Sequence, residues 1–150
     1  MQWNQKESSL LKDLKGQEQL CVDKYMHHAE AACDPQLKQL FSQLAQQEAQ
    51  HLQTITQMES GTIPQMSSGG SRQQPTFNAA YAGDSKEKQN DCFLCSDTLT
   101  GEKHVSGLYD TCVFEFRDQQ ARLVLNHIQK EEQEHGKMLY DYMTVNNMYQ

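Results

Sequence analysis

Asp34-Pro35-Gln36-Leu37-Lys38-Gln39-Leu40-Phe41-Ser42-Gln43-Leu44-Ala45-Gln46-Gln47-Glu48-Ala49-Gln50-His51 is the stretch whose reading decides the fold. It opens with a helix start, because Asp accepts hydrogen bonds from the free amides of a first turn and Pro lacks the amide that this turn cannot use. Leu37, Leu40, Phe41 and Leu44 then recur at helical spacing, and Leu52, Ile55 and Met58 continue the stripe. Glu48 falls inside that stripe, and His51 follows it by three residues.

Upstream, from about Glu7 to Ala32, Leu11, Leu14, Cys21, Val22, Tyr25, Ala29 and Ala32 define another helix. The short connection at Asp34 requires the two helices to lie antiparallel, so residues 7–58 form one helical hairpin. Residues 60–90 break the pattern with Gly61, Pro64, the Ser/Gly run at 67–71, Pro75 and Gly83. The segment 59–91 is therefore expected to be a linker. Its length suffices to cross a bundle, since a 26-residue helix is about 39 Å long and extended chain covers about 3.3 Å per residue. The run at Ser67 to Ser71 is its expected cleavable tip, and Phe77 and Tyr81 are its expected anchors. Periodicity returns through Leu94, Leu99, Val105, Tyr109, Cys112 and Phe116, then, after Asp118, through Ala121, Val124, Leu125, Ile128, Leu139, Tyr142 and Met143. A second hairpin over 92–143, with a tail at 144–150, completes an all-α, four-helix, ferritin-like bundle joined by a long crossover, one domain over 1–150.

The two halves correspond at a constant offset of 84 residues, pairing Asp13 with Asp97, Glu18 with Glu102, Tyr25 with Tyr109, Asp34 with Asp118, Glu48 with Glu132 and His51 with His135. Glu18 lies 16 residues before Asp34, while Glu48 and His51 lie 14 and 17 after it. At 1.5 Å per residue all three stand about 24 Å from the turn. Each of the four glutamates interrupts an apolar stripe, where an unpaired carboxylate costs several kcal/mol to bury. No Lys or Arg occupies those stripes near that level, so divalent cations are the natural counter-charge. One Glu from each of two helices with Glu-x-x-His from the other two is the known ligand pattern of di-iron and di-manganese bundles. Glu18, Glu48, His51, Glu102, Glu132 and His135 are the candidate metal ligands for two iron or manganese ions. No catalytic residue beyond these ligands is expected. Tyr25 and Tyr109, two turns beyond Glu18 and Glu102, are placed to hydrogen-bond a carboxylate of the opposite hairpin.

The remaining features narrow the function class. A net charge of −7, from 20 acidic and 13 scattered basic residues, disfavours nucleic acid. The start of the chain lacks a signal-peptide apolar run, and no stretch reaches the roughly 18 apolar residues of a membrane span, so synthesis in the cytoplasm is expected. Five irregularly spaced cysteines read as reduced thiols. Cys92-Phe93-Leu94-Cys95, without a second pair, reads as ordinary buried or half-buried thiols rather than zinc ligands. His27, His28, His104 and His127 have no repeat counterpart and read as surface groups.

Asp34-Pro35-Gln36-Leu37, the Glu18 to Tyr25 spacing, Tyr109-Asp110-Thr111 through Phe114-Glu115-Phe116-Arg117, and the ending Leu139-Tyr140-Asp141-Tyr142-Met143 to Met148-Tyr149 resemble the spore coat protein F family. That family belongs to the wider ferritin-like and rubrerythrin-like set. The resemblance implies a protein of endospore-forming bacteria, located in the spore coat, with other coat proteins or its own copies as partners. The rubrerythrin pattern implies terminal roles for Glu18 and Glu102, bridging roles for Glu48 and Glu132, and one histidine per ion, with peroxide or dioxygen as the oxidant. The chain departs from rubrerythrins in lacking rubredoxin-type cysteine pairs and in carrying Val105 where they have a further glutamate. The alternative is a non-catalytic coat assembly protein with a structural or vestigial metal site.

Overall fold

A computed structural model describes residues 1–66 and 74–149. The chain forms α1 (Gln5–Ala31), α2 (Pro35–Glu59), α3 (Lys86–Glu115) and α4 (Gln119–Val145), with no strand among the described residues. Each helix opens on a polar cap. Asn4 accepts from the Glu7 amide at 2.7 Å while the Glu7 carboxylate accepts from the Asn4 amide at 3.0 Å, a capping box. Asp34, Ser85 and Asp118 cap the other three. The α3 start lies six residues before the expected 92, because Ser85 caps a first turn of Lys86 to Asn90 that is polar and therefore carries no apolar periodicity. The linker is correspondingly shorter than 59–91, and the expected cleavable tip at Ser67 to Ser71 lies outside the described residues.

Three-residue turns fold α1 onto α2 and α3 onto α4, and the two hairpins pack together mainly through α1 against α3, with α2 touching α4. The apolar interior divides into two clusters. One joins the C-terminal part of α1 and the N-terminal part of α2 to the start of α3 and the end of α4, around Tyr25, Phe41, Leu44, Leu99 and Tyr142. The other occupies the opposite end, around Leu11, Leu14, Ile55, Tyr109, Phe116 and Leu125. The linker leaves from the second end, where Ile63 and Met66 pack, and arrives at the first, where Phe77 meets the Tyr142 ring edge-on at 5.4 Å. Tyr81 donates to Asp91 at 2.6 Å, so both expected anchors hold the chain to the bundle. Gly61, at φ 97°, ends α2 in the left-handed region, where an added Cβ would stand 3.0 Å from the Met1 carbonyl oxygen.

Two buried acids tie the hairpins together at opposite ends. Asp91 accepts from the amides of Cys33 and Asp34 in the first hairpin's turn, at 2.8 and 2.9 Å. Glu7 accepts from the Arg117 amide in the second hairpin's turn at 3.2 Å. Glu7 and Asp91 are themselves related by the 84-residue offset. No described helix is long and apolar enough to cross a membrane.

Candidate metal centre

Between the two apolar clusters each helix contributes acid to one level. Glu18 comes from α1, Glu48 and His51 from α2, Glu102 from α3, and Glu132 and His135 from α4. Glu18, Glu48, Glu132 and His135 are fully buried, and His51 and Glu102 are 3% and 4% exposed. The six side chains meet as two groups that could each hold a metal ion. Glu18, Glu48, His51 and Glu132 offer ligand atoms within 4.8 Å of one another, and so do Glu48, Glu102, Glu132 and His135. Glu48 and Glu132 belong to both groups.

The imidazoles point the same nitrogen inward. His51 Nδ1 lies 2.8 Å from Glu132 Oε1, 3.5 Å from Glu48 and 3.9 Å from Glu18. His135 Nδ1 lies 2.9 Å from Glu48 Oε1, 3.4 Å from Glu102 and 3.5 Å from Glu132. The rings stack at 5.7 Å with planes 18° apart. Their outer nitrogens are held by partners that the sequence reading missed: His51 Nε2 meets the Glu131 carboxylate at 2.9 Å, and His135 Nε2 meets the Gln47 amide oxygen at 2.5 Å. With Nε2–H donating outward, each Nδ1 keeps a lone pair for a cation. Gln47 and Glu131 are one more pair at the 84-residue offset, each just before a buried glutamate. That offset was the available signal.

Both tyrosines cross between hairpins. Tyr25 donates to Glu102 Oε1 at 2.5 Å, and Tyr109 donates to Glu18 Oε1 at 2.6 Å. The second oxygens of Glu18, Glu102 and Glu132, both oxygens of Glu48, and His135 Nδ1 have no hydrogen-bond partner among the described residues. Buried polar atoms are ordinarily satisfied, and this convergent set of unpartnered lone pairs could hold cations. Oxygen and imidazole donors suit iron or manganese, and the residues fit such a pair.

Without cations, protons balance the charge. Burial pushes the Glu18 carboxyl well above the usual carboxylate range, and the charges of Glu48 and Glu132 add to it. Burial, then Glu132, does the same to Glu102. Burial also opposes charge on Glu132, but the neighbouring Glu102, His135 and His51 outweigh it and hold that carboxyl well below the usual range. For His51 and His135 the cost of burial is likewise outweighed by the surrounding glutamates, which raise both imidazoles well above their ordinary value.

Two histidines depart from the expected surface placement. His28 is buried and meets Asp97 Oδ2 at 2.9 Å, because it faces α3 across the hairpin interface, and His127 is half-buried, 3.3 Å from Glu131. His27 and His104 are exposed. All five thiols are free. Cys33 is exposed, Cys21 and Cys92 are half-buried, and Cys95 and Cys112 are buried, with burial pushing Cys112 up to about 12.

Residues 90–150 match the family model described as the Coat F domain. That segment is similar to the Coat F domain. The expected likeness to the spore coat protein F family thus holds over the second hairpin, and α1 and α2 lie outside the matched span. The matched segment contains Glu102, Glu132, His135 and Tyr109, half of the buried constellation. No curated protein and no solved structure matches the chain.

Proposed function

We propose that the chain is a spore coat protein whose ferritin-like bundle, one domain over residues 1–150, holds two iron or manganese ions and reacts with peroxide or dioxygen, protecting the spore against oxidation. The observation that carries this reading is the pair of buried donor groups sharing Glu48 and Glu132. Glu48 and Glu132, common to both donor groups, would be shared between the ions, Glu18 and Glu102 would each hold one of them, and His51 and His135 would each offer Nδ1. Bound iron or manganese would supply one electron per ion for a two-electron reduction of the oxidant. Tyr25 and Tyr109 each occupy one oxygen of a terminal carboxylate and so aim the other inward. Glu131 and Gln47 fix the imidazole rings. The apolar clusters above and below keep bulk water from the carboxylates, which strengthens their hold on a cation.

Elemental analysis after reconstitution tests it. About two ions per chain are expected, as the bundle pattern requires, with peroxide consumed by loaded protein and not by metal-free protein. Protein that binds no metal removes the reading.

A second reading makes the chain a non-catalytic coat assembly protein with the ions as a structural staple. It is favoured by Phe93 and Phe114, 70% and 76% exposed on α3, which offer apolar surface to another coat protein or a second copy. Two-ion protein that leaves peroxide untouched supports this alternative.

A further inference from the structure

The offset repeat makes the two donor groups look equivalent, but their surroundings are not. A cavity of about 280 Å³ lies between α1 and α3, lined by Cys21, Tyr25, Thr98, Gly101, Glu102 and Val105 among others. A second, of about 420 Å³, lies between α3 and α4 and reaches Glu102, Glu132 and Gly136. Both open on Glu102, and neither is lined by Glu18 or His51. Glu102 Oε2 is also one of the buried atoms without a hydrogen-bond partner. The histidine supports differ as well: the outer nitrogen of His51 rests on a carboxylate, Glu131, and that of His135 on a neutral amide, Gln47. A carboxylate behind an imidazole makes the inward nitrogen a stronger donor, and it adds negative charge near the first position.

Resting on the two-ion reading above, we propose that the positions are unequal. The one formed by Glu18, Glu48, His51 and Glu132 is closed and binds its ion more tightly. The one formed by Glu48, Glu102, Glu132 and His135 is open, and a small exogenous ligand reaches metal there through the cavities beside Glu102. The cavity walls offer few free polar groups. Thr98 spends its hydroxyl on the Leu94 and Cys95 carbonyls, Tyr25 spends its own on Glu102, and Lys24 at the rim is paired with Asp97. What remains is mostly apolar, with room for a small uncharged or singly charged ligand such as peroxide, dioxygen or azide.

Azide binding to the ferric-loaded full chain, followed by its charge-transfer absorbance in stopped flow, tests the route. Gly101→Leu with Gly136→Val adds side chains at the walls of both cavities and replaces no donor, and the added Cβ atoms would meet Lys24 Nζ at 4.0 Å and Leu99 Cδ1 at 3.7 Å, ordinary contacts. The double variant should hold two ions and bind azide at least ten-fold more slowly, while Gly107→Leu, where nothing lies within 4 Å of the added Cβ, should match the parent. A double variant with two ions and the parent's azide rate overturns the proposal. Stepwise titration of the metal-free chain with Mn²⁺ gives a second measurement: Glu131→Gln should weaken the tighter step by about 10- to 100-fold. Two equal steps in the parent, or a loss confined to the weaker step, overturns the assignment of the closed position. A parent that binds no ions fails the preceding two-ion reading, which metal content reports before azide is added.

Discussion

Asp91→Ala removes a fully buried carboxylate that accepts the Cys33 and Asp34 amides at 2.8 and 2.9 Å and the Tyr81 hydroxyl at 2.6 Å. Alanine leaves both turn amides without their acceptor and releases the linker anchor. Hydrogen bonds to a charged group contribute about 1.5–3 kcal/mol each, with part of the loss recovered by water entering the vacated space, so the expected cost is about 4 kcal/mol. For a chain of this length, where 1 kcal/mol moves the melting temperature by roughly 2–4 °C, that is a fall of about 8–16 °C. Asp91→Asn keeps one acceptor oxygen and should lose less. Glu7→Ala should also destabilise, because its carboxylate accepts the Arg117 amide of the second hairpin's turn at 3.2 Å and the Asn4 amide of its own cap at 3.0 Å. Urea and thermal unfolding at pH 7 in chelator would measure this, with the urea slope expected to stay constant. A loss below about 1 kcal/mol in Asp91→Ala would refute the view that this carboxylate clamps the hairpins.

Three further outcomes are expected. Glu18, Glu102, His51 and His135 all have raised folded values, so each contributes stability fully present below its ordinary value, 4.5 for Glu and 6.5 for His, and lost as pH rises through the folded one. Glu132 is lowered and works oppositely, its contribution present above 4.5 and lost as pH falls through its folded value. Metal-free protein should therefore weaken from about pH 4.5 to 7 while loaded protein gains, and a melting difference that does not grow with pH would count against the cluster's charge balance. Glu48→Ala and Glu132→Ala should each disturb both ions and His51→Ala chiefly one, as elemental analysis and calorimetric titration would show; equal losses from all three would contradict shared bridging. Under native conditions a thiol reagent should label Cys33 first and leave Cys95 and Cys112 unlabelled until denaturant is added, and early labelling of Cys95 would show the bundle end to be open.

The helices were legible because Leu37, Leu40, Phe41 and Leu44, and their counterparts in the other helices, carry a 3.6-residue period that survives burial. The levelling of Glu18, Glu48 and His51 was legible because a short turn fixes heights on both sides of it. The features missed are those that period cannot carry. Glu131 sits just off the apolar face and reaches the site only because His51 of the other hairpin extends towards it. His28 is polar and unrepeated, yet Asp97 across the interface gives it a buried partner. Glu7 and Asp91 look like ordinary first-turn acids, and only the docking of one hairpin on the other's turn shows what they hold.

The clamps and the crossed tyrosines have one more consequence. Each hairpin supplies the acid that secures its partner's bend, the phenol that steadies its partner's carboxylate, and three of the six donors, so neither is complete alone. This is the exchange expected of a twofold dimer, contained here within one polypeptide. A protein consisting of the matched segment 90–150 alone would have to pair with another copy to close such a centre. Two copies of one gene product are bound to be identical; two halves of one chain are free to drift apart. Gln47 against Glu131, and Cys21 against Val105, are two of the pairs at which the halves differ beside the shared donors.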